Sequence, residues 1–247
     1  MRIALISDIH GNYISLEAVL AQIDKDRVDN IICLGDVADF GPQPLEVIAR
    51  LRELDCPCIM GNHEFLLLNP DFPKEETAPT PEREMSKWCA EQLSEDELEY
   101  LRTFQPGVEV PLDTHNTLLC FHGSPRSNTE HILSTTPAPE LEEMISGHKG
   151  PVLAGGHTHT QMLRQHMGRL IVNVGSVGSP VEQFPVPPSG PRFLPWGEYS
   201  IVSWTDGVLG VELRRVPIDL NKIRGAILSS KMPFADLSVS RWLDPGF

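Results

Sequence analysis

Short apolar or β-branched runs recur through the first two thirds of the chain and limit its possible folds more than any other feature. Each has the length of a buried strand, and they occupy residues 3–6, 31–34, 58–60, 117–121 and 151–153. Between the first three runs, apolar residues recur at helical spacing over residues 16–23 and 48–54. Because strands alternate with helices, the sequence predicts a layered α/β fold.

Length and composition indicate a folded chain with one main core. We expect a single domain over residues 1–247, because a chain of this size can bury one substantial core. Hydrophobic residues make up 40% of the chain and charged residues 22%, which excludes a disordered protein. The formal net charge of -14 would repel a polyanion over most of the surface. We therefore expect no stable binding to nucleic acid.

The N-terminal sequence and the cysteines favour a cytoplasmic protein that is not inserted in a membrane. The first apolar run is too short for a secretory signal or a membrane span, and polar groups follow it at once. The five cysteines form an odd set, and Cys56 and Cys58 lack the two-residue spacing of common zinc and redox motifs. The cysteines are typical of buried free thiols in a reducing compartment.

Residues 69–103 differ in character from the preceding part of the chain. A proline-rich acidic stretch leads into two predicted helices with little strand propensity. The first helix is predicted to begin with Thr80 as N-cap and Pro81 at its first position, and the second with a capping box of Ser94 and Glu97. We interpret the segment as a helical insertion that either decorates the surface or covers a site.

The last third of the chain is predicted to contain a loop, a hairpin and a helix. The proline- and glycine-rich loop covers residues 179–197, and the helix covers residues 219–230. Strand-like runs at residues 199–204 and 208–216 flank Asp206-Gly207, which is a strong signal for a β-hairpin.

Side chains that can bind metal ions follow each of the five early runs, at the point where the run ends. They are Asp8, His10, Asp36, Asn62, His63, His122, His157 and His159. In open α/β sheets, ligands gather at the carboxyl ends of the strands, where rigid strands hold converging loops. We therefore expect these side chains to meet in one site. The other histidines are predicted to be solvated, namely His115, His131, His148 and His166.

The candidate donors combine carboxylate, imidazole and amide groups. This mixture favours Mn²⁺, iron as Fe²⁺ or Fe³⁺, or Zn²⁺ in an open site over a structural zinc cage, and we favour Mn²⁺. The donors outnumber the ligands that one tetrahedral ion needs, so the economical interpretation is two divalent ions that share one carboxylate. Two ions about 3.5–4 Å apart suit the chemistry of phosphoryl transfer.

Five ordered motifs, DIH, GDVADFG, GNHE, FHG and GGHTH, resemble those of the calcineurin-like metallophosphoesterases, and the chain overall resembles their small bacterial and archaeal members. The resemblance extends from residue 1 to about residue 180. It implies a layered β-sandwich flanked by helices, here with the helical insertion and a C-terminal hairpin. It also implies a metal-dependent hydrolase of phosphate esters.

The resemblance also implies a role for each motif residue. Asp36 would bridge two metals, the first of which is held by Asp8, His10 and His159. The second metal would be held by Asn62, His122 and His157. His63 would be the catalytic general acid that protonates the leaving oxygen, and Asp39 would be the carboxylate that orients it.

One motif departs from the protein serine/threonine phosphatases of the same superfamily, which carry an arginine in the sequence GDxVDRG. Phe40 stands at that position and cannot make a bidentate, charge-assisted contact with phosphate. Arg126 could act instead from a neighbouring loop, although we expect it to be solvated. We also expect Asn12 to cap a helix and Glu64 to lie in solvent at a helix terminus.

Three functions are compatible with these motifs. The preferred one is a phosphoesterase acting on phosphodiesters or phosphomonoesters of a small molecule or nucleotide. A phosphoprotein phosphatase is an alternative that Phe40 disfavours. The other alternative is a non-catalytic, metal-binding scaffold such as the retromer subunit of this fold, which the full ligand set and His63 disfavour. The expected partner is a small phosphate-ester substrate, and a homo-oligomer is compatible with the sequence.

Overall fold

Two β-sheets form the centre of the molecule. The structure is a computed structural model and describes residues 1–69, 71–72 and 80–244. The strands are β1 (Arg2–Ile6), β2 (Asn30–Cys33), β3 (Val108–Pro111), β4 (Thr117–Cys120), β5 (Val152–Gly155), β6 (Met162–His166), β7 (Arg169–Asn173), β8 (Trp196–Thr205) and β9 (Val208–Pro217). The helices are α1 (Tyr13–Asp26), α2 (Pro44–Leu54), α3 (Asn62–Leu67), α4 (Pro81–Gln92), α5 (Glu95–Arg102), α6 (Ala138–Met144), α7 (Leu220–Ser229) and α8 (Ala235–Ser240).

The strand order is β2-β1-β8-β9 in one sheet and β3-β4-β5-β7-β6 in the other. Each sheet has a parallel portion, formed by β1 with β2 and by β5 with β4 and β7. The edge strands β3, β6 and β9 pair antiparallel with their neighbours, and the inner strand β8 pairs antiparallel with both β1 and β9. Both faces of the parallel strands are covered. This explains why these strands appear in the sequence as continuous apolar runs of five residues or fewer.

The two sheets pack face to face, and helices cover their outer faces. Ile3 and Leu5 of β1 join Val152 and Ala154 of β5 in the core between the sheets. The alternate β1 residues belong to a second core with α1 and α2, whereas residues of β4, β5 and β7 pack with α6 on the opposite side. This arrangement confirms the predicted α/β fold, a layered β-sandwich flanked by helices.

Several predicted helix starts and the predicted hairpin are confirmed. The Thr80 side chain accepts a hydrogen bond from the Arg83 backbone N–H (3.2 Å) at the start of α4. Glu97 accepts the Ser94 backbone N–H (2.8 Å) at the start of α5. Asp206 and Gly207 both have positive φ, +51° and +81°, as a two-residue turn between β8 and β9 requires.

The prediction for residues 58–60 is wrong in one respect, because they do not extend into a named strand. They make only isolated bridges, Cys33 with Cys58 and Ile59 with Gln105. Conversely, β3 was not among the predicted runs. Its residues alternate between half-buried and exposed, as in an edge strand, so it lacks the continuous apolar signal of the central strands.

Helices α4 and α5 lie within the segment 69–103 that we interpret as an insertion, although residues 70 and 73–79 of that segment lie outside the described residues. Its status as an insertion and the single-domain organisation stay predictions. The cysteines are free thiols, four of them buried and Cys56 half-buried. Among the helices that the structure describes, none is long and apolar enough to cross a membrane.

Candidate metal centre

The carboxyl ends of the parallel strands in both sheets meet at one edge of the sandwich. Asp8 follows β1, and its backbone N–H donates to Gly35 O in the loop after β2 (2.9 Å). The loop after β5 reaches across from the other sheet, because the His157 backbone N–H donates to Asp8 Oδ2 (3.0 Å). The strand-end residues of two different sheets thereby form one site.

Sharp turns place these side chains at the edge. Five of the candidate ligands adopt left-handed backbone conformations, with φ between +48° and +70°: Asp8, His10, Asp36, His157 and His159. Such conformations cost non-glycine residues on the order of 1–3 kcal/mol each and are concentrated at functional sites. The local sequence did not predict them, because aspartate and histidine have no intrinsic need for positive φ.

Gly156 and Gly178 allow two close approaches in the site. A Cβ atom on Gly156 would lie 2.5 Å from Asp8 Oδ2, and one on Gly178 would lie 1.8 Å from Ile9 O. Neither distance is compatible with a side chain. The glycines that the sequence places near the ligands thus serve close packing.

One cluster of donors contains Asp8, His10 and His159. His159 Nε2 lies 3.3 Å from Asp8 Oδ1 and 3.0 Å from His10 Nε2. Asp8 Oδ1 is buried and has no hydrogen-bond partner in the described structure. Three potential ligand atoms therefore converge, one of them an otherwise unpaired carboxylate oxygen.

A second cluster contains Asp36, His122 and His157. His122 Nε2 lies 3.2 Å from Asp36 Oδ2 and 3.0 Å from Asn62 Oδ1. Asp36 Oδ2 also lies 3.9 Å from His10 Nε2. Asp36 is therefore placed between the two clusters, where a shared ligand would have to lie.

The second nitrogen of each of these histidine rings contacts a backbone carbonyl. These contacts are His10 Nδ1 to Asp39 O (3.2 Å), His122 Nδ1 to Leu34 O (2.7 Å), His159 Nδ1 to Ser179 O (2.8 Å) and His157 Nε2 to Thr129 O (3.2 Å). A carbonyl partner of this kind fixes the ring orientation and leaves the other nitrogen as a metal ligand. The residues therefore fit two adjacent divalent cations.

The electrostatics of the site keep both aspartates ionised. Burial raises the pKa of Asp8, but the charge and hydrogen bond of His159, together with the charge of His122, outweigh it and lower the pKa to about 2. Burial likewise opposes ionisation of Asp36, yet His122 and His63 hold its pKa well below the usual value. Burial lowers the pKa of His10 to about 3, so its ring is neutral at pH 7 and can act as a ligand.

His63 lies beside the clusters and is paired with a buried carboxylate. Its Nδ1 is 2.6 Å from Asp39 Oδ2, and its Nε2 is 3.9 Å from Asp36 Oδ2. Burial lowers the pKa of His63, but the charges of Asp36 and Asp39 outweigh that effect and raise it to about 10. The neighbouring carboxylates thus favour the protonated form of His63, the form that a general acid requires.

Ser86 is a site residue that the sequence analysis missed. It lies on the buried face of α4, and its Oγ donates to Asp39 Oδ2 (2.7 Å). The Phe40 backbone N–H donates to the other oxygen of Asp39 (2.8 Å). The only local signal was the position of Ser86 between Met85 and Cys89 on an amphipathic face, which does not reveal its distant partner.

Two expectations about single side chains are wrong. Glu64 is buried, and its carboxylate accepts the backbone N–H groups of Asp36 (2.7 Å), Val37 (2.7 Å) and Gly61 (3.0 Å). It turns back over the start of α3 instead of toward solvent. His166 is also buried, because the last residue of β6 faces inward, and its Nε2 lies 2.9 Å from Glu142.

The remaining histidines outside the site are less buried. His115 is exposed, as predicted, and His148 is half-buried, 3.7 Å from Glu109. His131 is exposed but stacks on the candidate ligand His157, with ring centroids 4.6 Å apart and planes at 6°.

Other expectations about the surroundings of the site are confirmed. Asn12 caps α1, since its side chain accepts the Ser15 backbone N–H (3.1 Å). Arg126 is about half exposed and pairs with Glu130 (2.7 Å). Phe40 packs against His63, with ring centroids 4.6 Å apart, so an apolar ring occupies the position of the phosphatase arginine.

Comparison with known sequences places this site in a family. Residues 1–187 match a family model described as the calcineurin-like phosphoesterase superfamily domain. An uncharacterized protein of Methanocaldococcus jannaschii is 24% identical over 94% of this chain and 93% of that protein. A symmetrical bis(5'-nucleosyl)-tetraphosphatase of Hamiltonella defensa is 28% identical over 63% of this chain and 56% of that enzyme, so the match spans about half of the enzyme.

Solved structures give the same result. A metallophosphoesterase from Sphaerobacter thermophilus superposes with a TM-score of 0.74, at 27% identity and 98% coverage of both chains. A hypothetical protein from Pyrococcus horikoshii superposes with a TM-score of 0.80 and covers 96% of both chains, and at 21% identity it shows the fold alone. The chain belongs to the calcineurin-like phosphoesterase superfamily.

Proposed function

We propose that this chain hydrolyses phosphodiesters or phosphomonoesters of a small molecule or nucleotide with the help of two divalent ions. The observation that carries the proposal is the adjacency of the two donor clusters, Asp8–His10–His159 and Asp36–His122–His157, with His63 close enough to His10 and Asp36 to form a third group and paired with Asp39. Family membership supports a hydrolase of phosphate esters. The donor set favours Mn²⁺, with iron and Zn²⁺ as alternatives.

The protein side chains have separate roles in this proposal. Asp8, His10 and His159 would hold one cation, Asn62, His122 and His157 would hold the other, and Asp36 would be shared by both. When bound, the cations supply an activated water nucleophile and neutralise charge on the phosphoryl oxygens. His63 donates its Nε2 proton to the departing ester oxygen, and Asp39 keeps the ring oriented through Nδ1.

The surroundings of His63 disfavour a phosphoprotein phosphatase. Phe40 packs on His63 and offers no guanidinium to the substrate phosphate. The tetraphosphatase relatives make a nucleotide one candidate substrate, although the match spans only 56% of that enzyme. A non-catalytic scaffold remains the contrasting outcome of the experiment below.

The Mn²⁺-loaded protein should hydrolyse bis-p-nitrophenyl phosphate or p-nitrophenyl phosphate. We expect His63→Ala to keep both ions but to lose roughly 10²–10⁴-fold in kcat, because general acid catalysis contributes about this much. The loss should be largest for esters with poor leaving groups. His115→Ala, which changes an exposed histidine outside the site, is the control and should retain full activity. If the protein binds two ions but hydrolyses none of a broad panel of phosphate esters, this result would support the non-catalytic scaffold.

A further inference from the structure

A mainly apolar cavity of about 220 Å³ opens directly from the candidate metal centre. Its walls include His10, His63 and His159 on one side. The opposite walls come from distant parts of the chain, with Phe40, Met85, Phe184, Ile223, Ile227 and Trp242 among the contributors. We call this space the apolar cavity. Cavities of this kind bind the hydrocarbon portion of a ligand, while a few polar groups orient it.

Four neutral polar side chains on the cavity walls, those of Asn12, Ser238, Ser179 and Thr158, are already engaged within the protein. The Asn12 amide accepts the Ser15 N–H (3.1 Å) and donates to Gly178 O (2.9 Å). Ser238 Oγ donates to Met85 Sδ (3.3 Å). Recognition of a nucleobase needs side chains or backbone groups free to match its hydrogen-bonding edge. These side chains do not meet that requirement.

Ser179 and Thr158 are engaged in the same way. Ser179 Oγ lies 3.1 Å from His159 Nδ1, and Thr158 Oγ1 accepts the Asn173 amide (3.0 Å). Both polar groups therefore support neighbouring residues of the site.

The charges on the walls also disfavour a polyphosphate. Among the described lining residues other than histidines, Arg241 is the sole cation, and its guanidinium pairs with Glu82 (2.5 Å). A chain of several phosphates would bring negative charges that need several arginines or lysines. The cavity can therefore accommodate a substrate with one phosphate group at the candidate metal centre and an uncharged group beyond it.

His63 identifies which part of the substrate lies in the cavity. The same ring that would protonate the departing oxygen lines the cavity and contacts the Phe40 ring, 4.6 Å between centroids. The alcohol therefore leaves on the side of the apolar walls. Its hydrocarbon portion would remain in contact with them during the reaction.

We propose that the substrate is an ester of one phosphate group with an apolar alcohol of aromatic size, whose hydrocarbon part occupies the apolar cavity. This inference rests on the proposed function. In the reaction, the P–O bond to the alcohol breaks and a P–O bond to a water oxygen forms; the alcohol oxygen receives the Nε2 proton of His63, and His63 is restored by the proton that the consumed water releases. Dinucleoside polyphosphates are poor substrates because their bases and extra phosphates lack partners on these walls.

Binding of phosphonates to the Mn²⁺-loaded protein tests the cavity without requiring turnover. By titration calorimetry, 2-naphthylphosphonate should bind at least tenfold more tightly than methylphosphonate, since each buried methylene contributes about fourfold. Ile223→Phe on α7 adds volume at the cavity wall. It should bring the ratio of the 2-naphthylphosphonate affinity to the methylphosphonate affinity close to one, while the affinity for methylphosphonate itself stays the same. Leu228→Phe, on the same helix but exposed, should leave the ratio unchanged. If Ile223→Phe does not fold, Val186→Trp at the exposed rim replaces it and should also reduce the ratio.

Kinetics supply the second comparison. We expect kcat/KM for 2-naphthyl phosphate to exceed that for diadenosine tetraphosphate by at least tenfold. A phosphonate ratio near one in the unmodified protein, or a higher kcat/KM for the tetraphosphate, would overturn the inference. Failure of the proposed function is distinct from these outcomes, because it would appear as no hydrolysis of any ester even when the phosphonate ratio is high.

Discussion

Glu64 shows how a single buried side chain organises the candidate metal centre. Its carboxylate holds three backbone N–H groups from two loops, those of Asp36, Val37 and Gly61. Burial and the charge of Asp36 raise the pKa of Glu64 to about 7, against the lowering effect of the hydrogen bonds from Val37 and Asp36. The carboxylate thereby fixes the backbone of Asp36, the proposed shared ligand.

Glu64→Gln should lower both stability and metal affinity. The new amide NH₂ group would face N–H donors, and an unsatisfied buried group costs about 1–3 kcal/mol in the free energy of unfolding. Denaturant unfolding and calorimetric Mn²⁺ titration would measure the two effects. Glu95→Gln, at a largely exposed position of α5, serves as the control. Loss of stability with unaltered Mn²⁺ affinity would show that Glu64 does not position Asp36.

Asp36 should be the one ligand whose loss disturbs both ions. We expect Asp36→Asn to reduce occupancy at both positions, because its carboxylate lies between the two clusters. Asp8→Asn should mainly affect one position, since Asp8 belongs to one cluster. Elemental analysis of the purified proteins gives the metal stoichiometry. Retention of one full equivalent by Asp36→Asn would contradict the bridging assignment.

At the scale of elements, α4 contacts the carboxylate that pairs with His63. Ser86 is the point of contact, because its hydroxyl bonds to Asp39 Oδ2 (2.7 Å). Met85 of the same helix lines the apolar cavity. Of the two interpretations of the segment 69–103, these contacts favour a wall of the site over a surface ornament.

Ser86→Ala should reduce kcat by about tenfold and leave KM nearly unchanged. The variant removes one hydrogen bond to a charged group, worth about 1.5 kcal/mol, which corresponds to roughly tenfold in rate. A positioning role predicts a greater loss for poor leaving groups, so the comparison should use a series of aryl phosphates. Ser229→Ala, at an exposed position of α7, is the matched control. An equal loss across the series would indicate a structural role for Ser86 alone.

For the whole molecule, the candidate metal centre lies where loops from the two sheets meet. The contact from His157 N–H to Asp8 Oδ2 (3.0 Å) connects loops that follow strands of different sheets. In the proposed assignment, each ion is held by residues that follow both sheets. Binding of the ions should therefore stabilise the packing of one sheet on the other.

Removal of the ions with a chelator should lower the melting temperature reversibly. An ion present at 100 times its Kd stabilises the folded state by about 2.7 kcal/mol, equivalent to roughly 5–10 °C for a chain of this size. Scanning calorimetry with and without the chelator measures the shift, and Mn²⁺ should restore it. Far-ultraviolet circular dichroism should change little, because the cores between and outside the sheets remain buried. An unchanged melting temperature would count against ions that link the sheets.

The sequence by itself determined many of the elements and which motif residues come together at one edge of the sheets. Apolar runs, caps at Thr80 and Ser94, and the turn at Asp206-Gly207 act through neighbouring residues, so they can be read locally. The motif residues Asp8 to His159 follow strand ends, and parallel strands bring such ends together.

Tertiary structure decided how these parts meet. It divided the strands between two sheets, buried Glu64 and His166, brought Ser86 to Asp39, and placed Ile223 and Trp242 of the C-terminal region on the cavity wall. These contacts join residues far apart in the chain and depend on the packing of whole layers. Periodicity reports which face of an element is buried, but it does not report which distant side chain covers that face.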